Sequence, residues 1–147
     1  MKELSEKFGE KTSIMVILSI FTFGIYYFVW LSERRKEINK IAGTEIINNK
    51  MVIAAALCAG LSIILQTIIL TIDGDFPIDI FFNFAYSILI IMIAWNIGRW
   101  LELYVAQEYK IDLKVNKILI ILFNLLYINY LFNDLTNIEA KYNALRS

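Results

Sequence analysis

Apolar residues gather in four runs, 14–31, 51–72, 78–98 and 118–132, and the polar stretches between and around them hold every lysine and arginine. The second and third runs, 22 and 21 residues long, make helices of about 33 and 31 Å, enough for a hydrocarbon core of about 30 Å. The first and fourth, at 18 and 15 residues, reach only about 27 and 22 Å. The pattern predicts an all-α integral membrane protein formed as one domain over residues 1–147. A central transmembrane helical hairpin is flanked by two shorter apolar helical segments that are bent or re-entrant.

Both short segments carry a polar or flexible centre: Thr22 and Gly24 in the first, Asn124 and Asn129 in the fourth. Glycine tolerates a bend, and threonine or asparagine can satisfy the backbone groups that a bend frees. Displaced by 100 positions, Phe23, Tyr27, Leu31 and Ile38 fall on Phe123, Tyr127, Leu131 and Ile138, a weak internal repeat. Each short segment is followed by helical signals. Leu31, Ile38 and Ile41 share a face and Gly43 marks a C-terminal stop, so a short surface helix is expected there. Thr136 and Glu139 have capping-box spacing ahead of the Ile138, Tyr142 and Leu145 stripe, which predicts a second amphipathic helix.

Charge sorts these elements across the bilayer. The turn between the two long runs, Asp73 to Asp79, holds three aspartates and no cation, while Arg34, Arg35, Lys36, Lys40 and Lys50 precede the second run and Arg99, Lys110, Lys114 and Lys117 follow the third. The positive-inside rule then puts the acidic loop outside and loops 32–50 and 99–117 in the cytoplasm. Trp30, Trp95 and Trp100 fall at that cytoplasmic boundary, where indoles favour the headgroup layer. If all four runs crossed, Lys2, Lys7, Lys11, Lys141 and Arg146 would lie outside. If the first and fourth dip in and return, all 14 basic residues are cytoplasmic. The alternative is a kinked or tilted crossing.

Composition agrees with a lipid solvent: 59% of the 147 residues are hydrophobic and the formal net charge is zero, well above the roughly 45–50% apolar content of soluble domains. No cleavable signal peptide is expected, and the absence of a basic stripe argues against a nucleic-acid partner. There is no histidine, and Cys58 is the single cysteine. With no phosphate-binding glycine loop either, the usual hydrolytic, redox and metal chemistries lack their residues. The chain is not expected to be an enzyme or to hold a cofactor or metal.

Packing and lipid contact offer clearer signals. Ala55 with Ala59, Ala56 with Gly60, and Ala94 with Gly98 are small-xxx-small pairs suited to close helix approach. They serve packing within the chain, or else a homo-oligomer or a membrane-protein partner. Arg34, Arg35 and Lys36 are candidates for anionic lipid headgroups, each worth about 1 kcal/mol near the surface.

Thr22-Phe23-Gly24-Ile25-Tyr26, then Trp30 and Asn39, resembles the bacterial domain of unknown function 4234 family, whose members carry a T-x-G-I-Y-x-x-x-W core in an N-terminal apolar segment. The resemblance implies a small integral membrane protein of the bacterial inner membrane and no established activity. Thr22, Gly24, Tyr26 and Trp30 are the motif residues expected to shape the first segment. The functional expectation is a non-catalytic polytopic protein acting as scaffold, accessory subunit or membrane-organising component, with the lipid bilayer as its first partner. The alternative is a small oligomeric pore or transport component in which Gln66 and the asparagines line a path.

Overall fold

The computed structural model describes residues 1–22, 24–72 and 78–145, without the side chains of residues 70–72. Phe23, Arg146 and most of the acidic turn, residues 73–77, lie outside the described residues. Six helices follow in order: α1 (Lys2–Phe8), α2 (Thr12–Phe21), α3 (Ile25–Ala42), α4 (Asn49–Ile72), α5 (Ile78–Tyr109) and α6 (Lys117–Ala144). No strand occurs among the described residues. Three helices are long and apolar enough to cross a membrane, α4 over Asn49–Ile69, α5 and α6.

The first apolar run is not one helix. Its chain leaves helical geometry between Phe21 and Ile25, where Gly24 sits in the left-handed region at φ 84°. That conformation costs an L-residue about 1–2 kcal/mol and costs glycine little. Downstream of the break, α3 runs without interruption from the apolar half into the charged half and stops at Gly43, again left-handed at φ 66°. The short surface helix expected near residue 31 is therefore the continuation of α3.

A second break divides α6. Asn124 has φ 39° and ψ −116°, far from helical values. Asparagine reaches positive φ more readily than other side-chain-bearing residues. The chain reverses here: the Asn116 N–H donates to the Tyr127 hydroxyl at 3.0 Å, although a straight helix would place residues 11 apart about 16 Å from each other along its axis. After the break α6 continues to Ala144, so Thr136 lies inside a helix and caps nothing. The C-terminal amphipathic helix is the far end of α6.

α4 and α5 pack along each other, and α6 lies against α5 and α1. Between α5 and α6 the chain is extended, burying Ile111, Leu113 and Val115 in alternation with exposed Asp112 and Lys114. The core runs through Trp30, Leu31, Ile38, Ile97, Leu101, Ile128 and Phe132, with Leu4 and Phe8 of α1 closing it from one end. Phe8 meets Phe132 at 5.2 Å between ring centroids. Around this core lies a girdle of outward apolar side chains, among them Ile17, Ile64, Phe84 and Ile121. Phe21 and Phe123, next to the two breaks, are 79% and 51% exposed. Exposed apolar area of this extent suits lipid and not water.

Candidate functional site

The motif residues cluster at the first break and at its return. Thr22 works in both directions: its hydroxyl donates to the Leu18 carbonyl at 2.7 Å and accepts from the Tyr26 N–H at 3.0 Å. It thereby closes the end of α2 and supplies one of the acceptors that the first turn of α3 lacks. Gly24 allows the reversal, and its N–H donates to the Ser19 carbonyl at 2.7 Å.

Tyr26 then reaches across to Glu10, two residues before the start of α2. Its hydroxyl donates to the Glu10 carboxylate, 2.7 and 2.6 Å from the two oxygens. Two turns further along α3, Arg34 donates through Nε to the Phe8 carbonyl at 3.1 Å and lies 3.8 Å from the same carboxylate. Its guanidinium stacks 5.0 Å from the ring centroid of Trp30, which is fully buried. The chain thus goes out along α2, turns with Thr22 and Gly24, and comes back along α3 to meet its starting point. Asn39 completes the set by binding the Ile47 backbone at both N–H and carbonyl, 2.9 and 3.0 Å, which locks the connection to α4.

Glu10 is also where the two broken segments join. Asn129, fully buried, accepts from the Glu10 N–H at 3.0 Å and donates to the Glu10 carbonyl at 2.7 Å. Asn133 donates to that carbonyl at 2.6 Å, and both amides lie 3.3 Å from the Thr12 hydroxyl. Side chains from α3 and α6 therefore hold the carboxylate, backbone N–H and backbone carbonyl of one residue in a part-buried setting. Such a network is worth most when every member is satisfied. Its chemistry is structural: the Glu10 carboxylate is committed to Tyr26 and Arg34.

The other sequence candidates separate. Arg34 faces inward, whereas Lys36 is exposed and Arg35 half-buried, so these neighbours do not share one surface. Trp30 is fully buried in the core, on the α3 face that also carries buried Leu31 and Ile38. Ala55 and Ala94 are buried, Ala59 half-buried and Ala56 exposed. Gly98 does not serve α4: a Cβ there would come within 3.1 Å of Ile120, 3.2 Å of Val115 and 3.5 Å of Ile128, so its bare backbone admits the chain on both sides of the second break. Ala56, Ala59 and Gly60 instead floor a groove of about 400 Å³ shared with Gly24, Asn83 and Tyr86. The amides do not converge, since Asn129 is spent on Glu10 while Asn83 lines this groove and Asn96 a separate cavity. No group of three or more metal-ligating acids, cysteines or histidines occurs among the described residues.

Sequence reasoning missed Glu10 and α1. Leu4 and Phe8 have helical spacing and are both buried, a signal too short to stand out. Glu10 finds its side-chain partners 16 and 24 positions downstream, and no periodicity announces that.

Searches against curated proteins and against solved structures return no match. A family model, described as a domain of unknown function (DUF4234), matches residues 10–103. The match opens at Glu10, covers the first break, α3, α4 and most of α5, and stops before the second break. Spanning well over half of the chain, it shows that the protein belongs to the DUF4234 family.

Proposed function

We propose that the protein is a non-catalytic, polytopic component of the bacterial cytoplasmic membrane that organises the bilayer around it, serving as a scaffold or accessory subunit. α4 and α5 cross as a hairpin, while α2–α3 and the two parts of α6 enter from the cytoplasmic face and return. The observation that carries this reading is the pair of positive-φ breaks, Gly24 and Asn124, each followed by a contact that brings the chain back to its entry. With both segments returning, every lysine and arginine stays on one side, as the positive-inside rule favours. Apolar volume added to the inner leaflet alone would expand it relative to the outer one. Three helices long and apolar enough to cross a membrane support the location, and the family match leaves the task open.

Single-cysteine labelling in a Cys58→Ala background tests the reading. Cysteines at Lys11, Lys40, Lys117 and Lys141 should react with a membrane-impermeant maleimide only in inside-out vesicles, and one at Asp75 only in right-side-out preparations. Reaction of Lys11→Cys or Lys141→Cys from the outside defeats the returning segments. Reconstitution at rising protein-to-lipid ratio should then reduce vesicle diameter. Unchanged vesicles, with no membrane protein co-purifying in mild detergent, would remove the organising role.

A further inference from the structure

A cavity of about 570 Å³ lies away from the Glu10 network, between the connection that follows α3 and the last turns of α5. This volume is in the range of small-molecule sites, about 300–1,000 Å³. Its position matters as much as its size. On α5 it begins where the apolar run ends, so with α5 across the bilayer it opens at the cytoplasmic headgroup layer.

Three charged side chains line it: Arg99 of α5, Glu108 two and a half turns further along, and Glu45 from the facing connection. All three are exposed. None of them is ion-paired among the described residues, and Glu45 accepts one hydrogen bond, from Asn48 at 3.2 Å. One wall is aromatic, with Trp100 and Tyr104 at 5.4 Å between ring centroids. Leu103, on the same rim, is 57% exposed.

A guanidinium is matched to a phosphate, with which it makes paired charge-assisted hydrogen bonds. Two carboxylates across the same cavity oppose a ligand whose only charge is negative, and they call for a cation. A primary ammonium satisfies them with N–H donors, which a quaternary ammonium does not have. The exposed leucine and the aromatic wall accept the start of acyl chains. We infer that this cavity binds the headgroup of a phospholipid carrying both a phosphate and a primary ammonium, the phosphoethanolamine class, with the phosphate on Arg99 and the ammonium between Glu45 and Glu108. The inference shares with the proposed function the crossing of α5, and it does not depend on the returning segments.

The test uses the full chain in a maltoside detergent, titrated with dioleoyl phosphatidylethanolamine, phosphatidylcholine or phosphatidylglycerol and read by native mass spectrometry. Phosphatidylethanolamine should occupy one site per chain about tenfold more tightly than either competitor, the factor expected from one charge-assisted contact. Arg99→Gln should lower that affinity by about tenfold. Glu45→Gln with Glu108→Gln should abolish the preference over phosphatidylcholine while retaining phosphate-dependent binding. All three positions are exposed, and Arg99→Lys, which keeps the charge, should recover part of the affinity and exclude misfolding as the cause. Equal or tighter binding of phosphatidylglycerol, or phosphatidylethanolamine binding indifferent to these variants, overturns the assignment. Because the assay needs no bilayer, failure of the topology or vesicle-shape experiments leaves this result standing, and the reverse holds too.

Discussion

Gly24 offers the sharpest test of how the first segment turns. Its φ of 84° belongs to the left-handed region, and a Cβ added there would meet only Tyr86 Oη at 3.8 Å and Tyr27 Cδ2 at 4.0 Å, both ordinary contacts. A methyl group therefore fits, and the penalty for alanine is conformational: about 1–2 kcal/mol for the left-handed backbone, offset by about 0.4–1 kcal/mol from the stiffer unfolded chain. The net loss is about 1 kcal/mol, which for a chain of this length lowers Tm by about 2–4 °C. Gly24→Asn should lose less than Gly24→Ala, since asparagine reaches this region more readily, and Gly24→Val should lose most. Gly43→Ala is the control: the backbone has the same hand, at φ 66°, with nothing within 4 Å of the new Cβ. It should show the same alanine penalty without disturbing the Glu10 contacts. Thermal unfolding in detergent, followed by tryptophan fluorescence, ranks the series. Equal midpoints for Gly24, its alanine variant and its asparagine variant would refute a left-handed residue as the cause of the turn.

Three further outcomes follow from the same structure. Asn129→Leu strips the Glu10 N–H of its acceptor and leaves the Glu10 carbonyl to Asn133 alone, and should cost about 1–3 kcal/mol in denaturation experiments; a loss below about 0.5 kcal/mol would mean that the segments are held together elsewhere. Tyr26→Phe and Arg34→Met both weaken the hold on the Glu10 carboxylate, so a double-mutant cycle should give a coupling of about 0.5–2 kcal/mol, and additive losses would separate the two. Gly9→Ala brings its Cβ to 2.5 Å from both the Ser5 carbonyl and the Asn133 side chain and should destabilise, whereas Gly60→Ala, in helix with open space around it, should gain about 0.5–1 kcal/mol in the same melts.

Run length and composition were enough to read α4 and α5, because a helix in lipid announces itself by an unbroken apolar stretch. The breaks in the two shorter runs were legible because Thr22, Gly24 and Asn124 interrupt them, although α6 as a whole is long and apolar enough to cross a membrane. The partners of the motif were not legible. Tyr26 and Arg34 meet at Glu10 only after α3 has returned, and Asn129 meets the same residue from more than a hundred positions away. Arg34 was misread as a surface cation because Arg34, Arg35 and Lys36 look alike in sequence, while helical geometry points successive residues in different directions. The α6 helix resisted for the opposite reason, since its polar second half carries capping-box spacing yet packs on α1 and α5 without starting anew.

The internal repeat gains meaning from the backbone. The 100-residue displacement that aligns Tyr27 with Tyr127 and Leu31 with Leu131 also lays Gly24 on Asn124, and these are two of the four positions with positive φ among the described residues. Beside each break a short polar side chain binds an N–H of the helix that follows, Thr22 Oγ1 that of Tyr26 and Asn124 Oδ1 that of Leu125. A chain that breaks a helix away from water needs both a residue tolerant of positive φ and an acceptor within reach for the freed N–H. The first segment divides those duties between Gly24 and Thr22. The fourth assigns both to Asn124, the one type of side chain that combines tolerance of positive φ with an amide acceptor. The family match, confined to residues 10–103, covers the divided solution only. The second turn is tied back to the first matched residue, Glu10, through Asn129 and Asn133, so the two breaks stand or fall together in the folded chain.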